Sequence, residues 1–443
     1  MSILFQKKSF DETMLASGYN RRLLLAICLG VYGSLYSMLF LPAAYFPASS
    51  IAKSIGAPSV GLIFAAYPLA TAAATPLPMV VMSALGLRGC VLLGLGLATI
   101  ASLLFGLISQ LAAASLLPHG HLLVAMLACS RAVGGAGAAL AEAGCLAAVS
   151  SRWSDNIGSA LAAIEIVTGA AAGVGAALGA SLFAVGAQTA AFGAFFGSYL
   201  FPSLISALLP ASMLVSGLLL MPPHLRETDR AHRLCLHAPR WTAGRYATCL
   251  SIFLSAVVCE ALLPLYAPHL VEAPFDYSVP QAGVFVSAVC AAYTLVAMAL
   301  GPMIDAISAD AYAPSRLKRL MAIGWVCSCF AHALVGPISS SELLPGAIRR
   351  MCTLAAPALI GSSTAVLILP SLADLQSCVH PADEEGRAAT CAVWNGIYSF
   401  GSALGPVLST LVEHRLGFAS VCTALVALGA FMATMLNAAR QWR

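Results

Sequence analysis

The chain has 443 residues, of which 60% are hydrophobic and only 9% charged, and its formal net charge is +4. So little charge leaves no soluble domain large enough to fold alone, and basic residues scattered over short loops exclude a nucleic-acid surface. Nearly every long gap between charges is wide enough for the ~20 apolar residues that carry a helix across a bilayer, so the sequence reads as an all-α, multi-pass membrane protein.

Residues 1–20 are polar and charged, and the apolar run behind them is too long for a signal-peptide core, so no cleaved leader is expected. Six spans follow, at about 23–47, 59–82, 90–110, 121–149, 157–185 and 191–221. A polar linker runs from Pro222 to Arg245. Six more spans lie at about 247–270, 281–303, 320–338, 351–374, 389–411 and 419–438. The expected organisation is an N-terminal six-helix bundle (1–221), a cytoplasmic linker (222–245) and a C-terminal six-helix bundle (246–443). The halves repeat. Gly61 and Phe64 open a run that ends at Ser83, and Gly283 and Phe285 open one that ends at Asp305, 222 positions later. Self-similarity between halves is the trace expected of a transporter built from repeats.

Lys and Arg set the orientation. With the N-terminus in the cytoplasm, seventeen of the 22 basic residues fall on the cytoplasmic side. Only Lys53, Arg349, Arg350 and Arg415 face the other way, and Arg131 lies within the membrane. This split puts both termini inside. It leaves plasma membrane and acidic organelle equally open. The 14 cysteines lie mostly within spans and form no CxxC, so they read as small apolar fillers. No Walker, HExxH or GxSxG motif occurs. An enzyme is not expected, nor a metal or other cofactor.

Four ionisable residues stand well inside spans: Arg131, Glu142, Glu165 and Glu260. Each costs roughly 2.5–3.5 kcal/mol at mid-bilayer on insertion scales unless it is paired or solvated. Glu142 lies eight positions before Ser150, and Glu165 eight after Ile157, so both acids sit at similar depth on adjacent antiparallel helices. Two neighbouring acids in a low dielectric favour holding one proton between them. Arg131 is about 16 Å deeper along its helix at 1.5 Å per residue, so its pairing with either acid is not assured. Glu260 adds an acid from the other half. An all-acid cavity suits a cation, and Tyr36, Tyr67, Tyr293, Trp394 and Tyr398 supply either cation–π contacts or plain packing. His119, His121 and His269 fall at the outer edge, either as exposed loop residues or as groups that titrate in an acidic compartment.

Two six-helix halves joined by a cytoplasmic linker resemble the major facilitator superfamily. Gly301-Pro-Met-Ile-Asp305, with Arg316-Leu-Lys-Arg319 behind it, resembles the family's loop signature, which implies a conformational latch. The first-half copy is eroded: Met79 and Ser83 replace the Gly and Asp, and Gly86 and Arg88 remain. Arg131-Ala-Val-Gly-Gly-Ala-Gly137 resembles the fourth-helix motif. Gly169, Gly173, Gly175 and Gly179, and Gly401-Ser-Ala-Leu-Gly405-Pro406, resemble the Gly-rich motif of proton antiporters, although Ala176 stands where the family has Pro. A narrower resemblance is to the vesicular amine and polyamine transporters, the solute carrier 18 group. It rests on Tyr45-Phe46-Pro47, Lys53 and Gly56, Ile164-Glu165, Pro268-His269-Leu270 and Pro370-Ser-Leu-Ala-Asp374. Monoamine members carry an acid in span 1, and this chain has none there. The resemblance implies a monomer that exchanges protons for a small organic cation, an amine or polyamine. The open alternatives are an uncoupled facilitator of a neutral or anionic metabolite, with Arg131 as ligand, and a non-transporting membrane sensor.

Overall fold

The computed structural model describes residues 21–118, 120–152, 157–188, 197–221, 242–272, 275–308, 312–341, 344–377 and 384–439. His119 and most of the expected linker (222–241) lie outside them. In chain order the helices are α1 (Arg21–Phe40), α2 (Ser50–Ile55), α3 (Ala57–Ala74), α4 (Leu77–Ala113), α5 (His121–Arg152), α6 (Ile157–Gln188) and α7 (Leu200–Leu220). Then come α8 (Ala243–Ala261), α9 (Tyr266–Val271), α10 (Val279–Ser308), α11 (Ala313–Ala333), α12 (Gly346–Gln376), α13 (Glu384–Leu416) and α14 (Phe418–Ala439).

Among the described residues, eleven segments are long and apolar enough to span a membrane. The expected twelfth is α13, and it falls short because Trp394, Asn395, Tyr398 and several Ser and Gly residues dilute its apolar character. Its packing explains why that composition is tolerated. The helix lies between α3 and α8 and turns much of its surface to protein rather than lipid. Span 2 is also broken differently from its expected edges. Thr75 and Pro76 interrupt it after Ala74, and the helix then resumes at Leu77. Gly86, at φ 72°, makes the turn into span 3, a conformation that a side chain would strain.

The halves pack by the same rules. In the first, α4 pairs with α5, α3 with α5, α1 with α6, and α4 with α7. In the second, α11 pairs with α12, α10 with α12, α8 with α13, and α11 with α14. The helix breaks repeat as well. A 3₁₀ turn at Leu41-Pro42-Ala43 ends α1, and a turn around Leu263-Pro264 ends α8, with the prolines 222 positions apart. Proline lacks the N–H that would continue either helix.

Two contacts join the halves, α3 with α13 and α6 with α10. They close one face of the molecule, the one opposite Arg21 and Ala439, here called the distal face, with the other called the terminal face. Gly61 sits against the Pro406 carbonyl and the Thr410 side chain. Gly283 sits against Ala180 and the Ala176 carbonyl. Ser287 donates to the Gly173 carbonyl at 2.6 Å, and Lys53 pairs with Glu272 across the halves at 3.7 Å. Apolar cores cross the seam too. Ala44, Ala176 and Ala180 belong to the second-half core, while Leu263 and Val279 pack on a first-half core. Nearer the terminal face, Cβ atoms added at Gly301 or Gly396 would meet nothing within 4 Å.

Gly61→Val is therefore expected to wedge α3 from α13, because backbone and a buried Thr lie where the new side chain must go. The measurement is labelling of a cysteine placed at position 410 by an impermeant thiol reagent added to the distal side. Labelling should rise at least fivefold, and unchanged labelling would mean that this contact does not seal the face.

Candidate functional site

Six helices, three from each half, bring their polar residues to one cavity between the halves. Tyr36 comes from α1, Glu142 from α5 and Glu165 from α6. Glu260 comes from α8, Tyr293 from α10, and Trp394 and Tyr398 from α13. Glu165 is exposed although its helix is well inside the membrane, and Tyr36, Glu142, Glu260, Tyr293, Trp394 and Tyr398 are half-buried. Its neighbours place this exposure between the halves rather than against lipid. Tyr293 reaches toward Glu165 across the halves and is within its electrostatic reach. Tyr36 is close enough to feel both Glu142 and Glu165, and these two acids feel one another.

The cavity has two levels. Glu142 and Glu165, with Tyr36 and Tyr293, stand nearer the terminal face. Glu260 is deeper, one residue before the end of α8 and just before the Pro264 break. Tyr398 connects the levels, with Glu260, Cys259, Tyr293 and Tyr36 all in electrostatic reach. Its ring stacks on Trp394 at 5.2 Å and 6°, and the Trp394 indole donates to Ser371 Oγ at 2.9 Å. The pair is thereby held as a flat aromatic wall. A cavity with carboxylates at two depths and fixed aromatic faces can hold a cation, an aromatic ring, or both in one solute.

Arg131 and Tyr67 do not join this cavity. Arg131 is only 6% exposed and Tyr67 5%. The guanidinium lies over the rings of Tyr67 (5.1 Å) and Phe64 (5.6 Å), and both terminal nitrogens approach the Leu39 carbonyl at 3.4–3.5 Å. That carbonyl belongs to the last turn of α1, where helical partners run out, so Arg131 ties α5 to the α1 break. The acid within its electrostatic reach is Glu260, across the halves.

The residues of the loop signature lie at the surface. Gly301 faces open space, and Asp305 and Arg316 are exposed. The buried ion pair at this end joins Lys318 to Asp374, at 2.8 and 2.6 Å to the two carboxylate oxygens. Thr248 also donates to Asp374, so α8, α11 and α12 are stapled together inside the second half. Sequence reasoning missed this network because Lys318 reads as loop charge. The signal available was a Lys two residues ahead of span 9 and an Asp at the end of span 10. On the first-half side, Arg88 donates to the Leu218 carbonyl on α7.

The motif glycines bring backbones together. Gly169 meets Thr294 and Tyr293, Gly175 meets the Ser37 backbone, and Gly405 meets the Val257 carbonyl. Pro406 presents its carbonyl to Thr410 (2.7 Å) and lies against Gly61. These are the close approaches that small residues permit between membrane helices. His269, expected at the outer edge, is half-buried and stacked on Phe418 at 3.8 Å. His121 is exposed.

No curated protein matches the chain. Among solved structures 253 chains are similar. One is a mutant of the nucleoside transporter NupG, with 13% identity and a TM-score of 0.71, covering 95% of this chain and 100% of that one. Another is a bacterial homologue of the human lysosomal transporter Spinster, inward-facing and unoccupied. It has 13% identity and a TM-score of 0.66, and the match covers 95% of this chain and 97% of that one. At such identity these likenesses speak to fold alone. The family model described as Major Facilitator Superfamily matches residues 23–406. That match runs from α1 into α13 and takes in every residue of the central cavity, and the chain belongs to the Major Facilitator Superfamily.

Proposed function

We propose that this transporter exchanges protons for a small organic cation, an amine or polyamine, by alternating access. The supporting observation is the cavity between the halves, closed at the distal face, with Glu142, Glu165 and Glu260 on its walls and no basic side chain among the described cavity residues named above. Two carboxylates that repel one another this far from bulk water favour taking up either a proton or a cation. Competition for the same carboxylates links the two fluxes. The six-helix bundles on either side of 222–245 rock about the cavity. With both termini in the cytoplasm, the described state is open inward. The distal contacts at Gly61, Gly283 and Lys53–Glu272 then form the outer gate. The solute carrier 18 resemblance favours the same substrate class, and the missing acid in span 1 favours a polyamine over a monoamine.

Purified protein in proteoliposomes, with an imposed pH gradient and a panel of labelled polyamines, monoamines and nucleosides, tests this reading. Amine uptake should follow the gradient and collapse with a protonophore. Nucleosides belong in the panel because the Trp394–Tyr398 wall would also stack a nucleobase. Nucleoside flux without amine flux would overturn the substrate class, and amine uptake indifferent to the gradient would overturn the coupling. The alternative with Arg131 as direct ligand of an anionic metabolite is disfavoured, because Arg131 is buried against Tyr67 and only 6% exposed.

A further inference from the structure

A second, partly open cavity lies among the helices of the first half. Its space for the centre of a water-sized sphere is about 20 Å³, enough for one small species and no organic solute. Arg131, Tyr45, Ser102, Ser130, Ser203 and Ser206 line it, from α1 and its break, α4, α5 and α7. Arg131 Nε is buried and has no hydrogen-bond partner. Its charge also lacks a carboxylate within salt-bridge distance among the described residues. The second half shows how this chain treats a buried cation otherwise, for Lys318 has both oxygens of Asp374 within 2.8 Å. Glu260 is the acid that Arg131 feels, but it lies beyond 4 Å and in the other half, so any separation of the halves would carry it away.

A buried cation is costly without a counter-charge. The cavity supplies donors suited to an anion: the Arg131 Nε–H and the hydroxyls of Ser206, Tyr45 and Ser203. Ser130 and Ser102 donate instead to the carbonyls of Leu127 and Ser203. We propose that this cavity holds one monovalent inorganic anion of halide size, which keeps Arg131 charged and the α1 break in place whichever way the halves face. The occupant is a resident ion of the first half, distinct from the solute of the central cavity, and the inference does not depend on what that solute is.

The test uses full-length protein purified in detergent with gluconate as the only anion. Sodium chloride replaces sodium gluconate at constant ionic strength while thermal melting is followed. A saturable rise of several degrees is expected, and bromide should reproduce it. Crystals grown in bromide should show an anomalous peak beside Arg131 Nε. Ser206→Ala should raise the chloride midpoint at least threefold, and Arg131→Gln should abolish the response. If Arg131→Gln does not fold, the Ser206→Ala titration and the bromide peak still decide. Equal melting in chloride and gluconate, or crystals with no bromide at this position, would leave a bound water only and overturn the proposal.

Discussion

Replacing Glu165 with Gln is expected to reduce uptake driven by a pH gradient at least tenfold and to leave the residue insensitive to pH. Gln keeps the size of the side chain and still reaches toward Tyr293, so packing across the halves survives. What is lost is the ability to take up and release a proton. Glu142 is the nearer of the remaining acids in electrostatic terms. On its own it no longer has a like charge to repel, and so no longer makes proton and cation alternatives at one place. Equilibrium exchange of labelled amine without a gradient should persist, because Glu142 and Glu260 still offer negative charge to a cation. Measuring driven uptake and equilibrium exchange in the same vesicles separates coupling from binding. Wild-type driven uptake in Glu165→Gln would remove this residue from the proton path.

Lys318→Met is expected to cost ~3–5 kcal/mol, the usual penalty for breaking a buried ion pair from one side. Asp374 is 1% exposed and Lys318 6%, so the orphaned carboxylate has no water to turn to. Thr248 would remain bonded to it, and Arg245 would stay within electrostatic reach. Asp374→Leu should be similarly damaging, since it strands the ammonium. The double variant should recover most of the loss, because two apolar side chains restore packing without a charge to bury. Thermal melting of all four proteins in one detergent checks this. Single variants that melt like the parent would mean that water enters this site and the staple between α8, α11 and α12 is weak.

The sequence and the structure differ where partners matter. Spans, repeat and family resemblance were legible because lipid imposes long apolar runs, and because each repeat must place its breaks and glycines alike. α13 shows the limit of that signal. Its Trp, Asn and Tyr deny it the apolar stretch that the other eleven spans have, and only the neighbours α3 and α8 explain why it need not face lipid. Depth along one helix was also readable, since it is a count of residues. Glu142 and Glu165 could be put at one level from their distances to Ser150 and Ile157, and they are electrostatic neighbours.

Arg131 was the harder case. Its position on the chain gave a depth, but rotation about the helix axis decides which neighbours it meets, and those come from α1 and α3. Folded, it caps the Leu39 carbonyl beneath aromatic rings instead of lining the central cavity. Lys318 likewise reads as one of three loop charges until α12 brings Asp374 to it.

By itself the sequence determined that the chain spans a membrane repeatedly, in two related halves, with acids kept at lipid depth. Those properties follow from hydrophobic run length and from the cost of charge in hydrocarbon, which act on each segment separately. Which face is shut, which acids share a cavity and which cation is left without a carboxylate were decided only by the tertiary structure. They depend on how helices from distant parts of the chain turn toward one another, and no single segment carries that rotation.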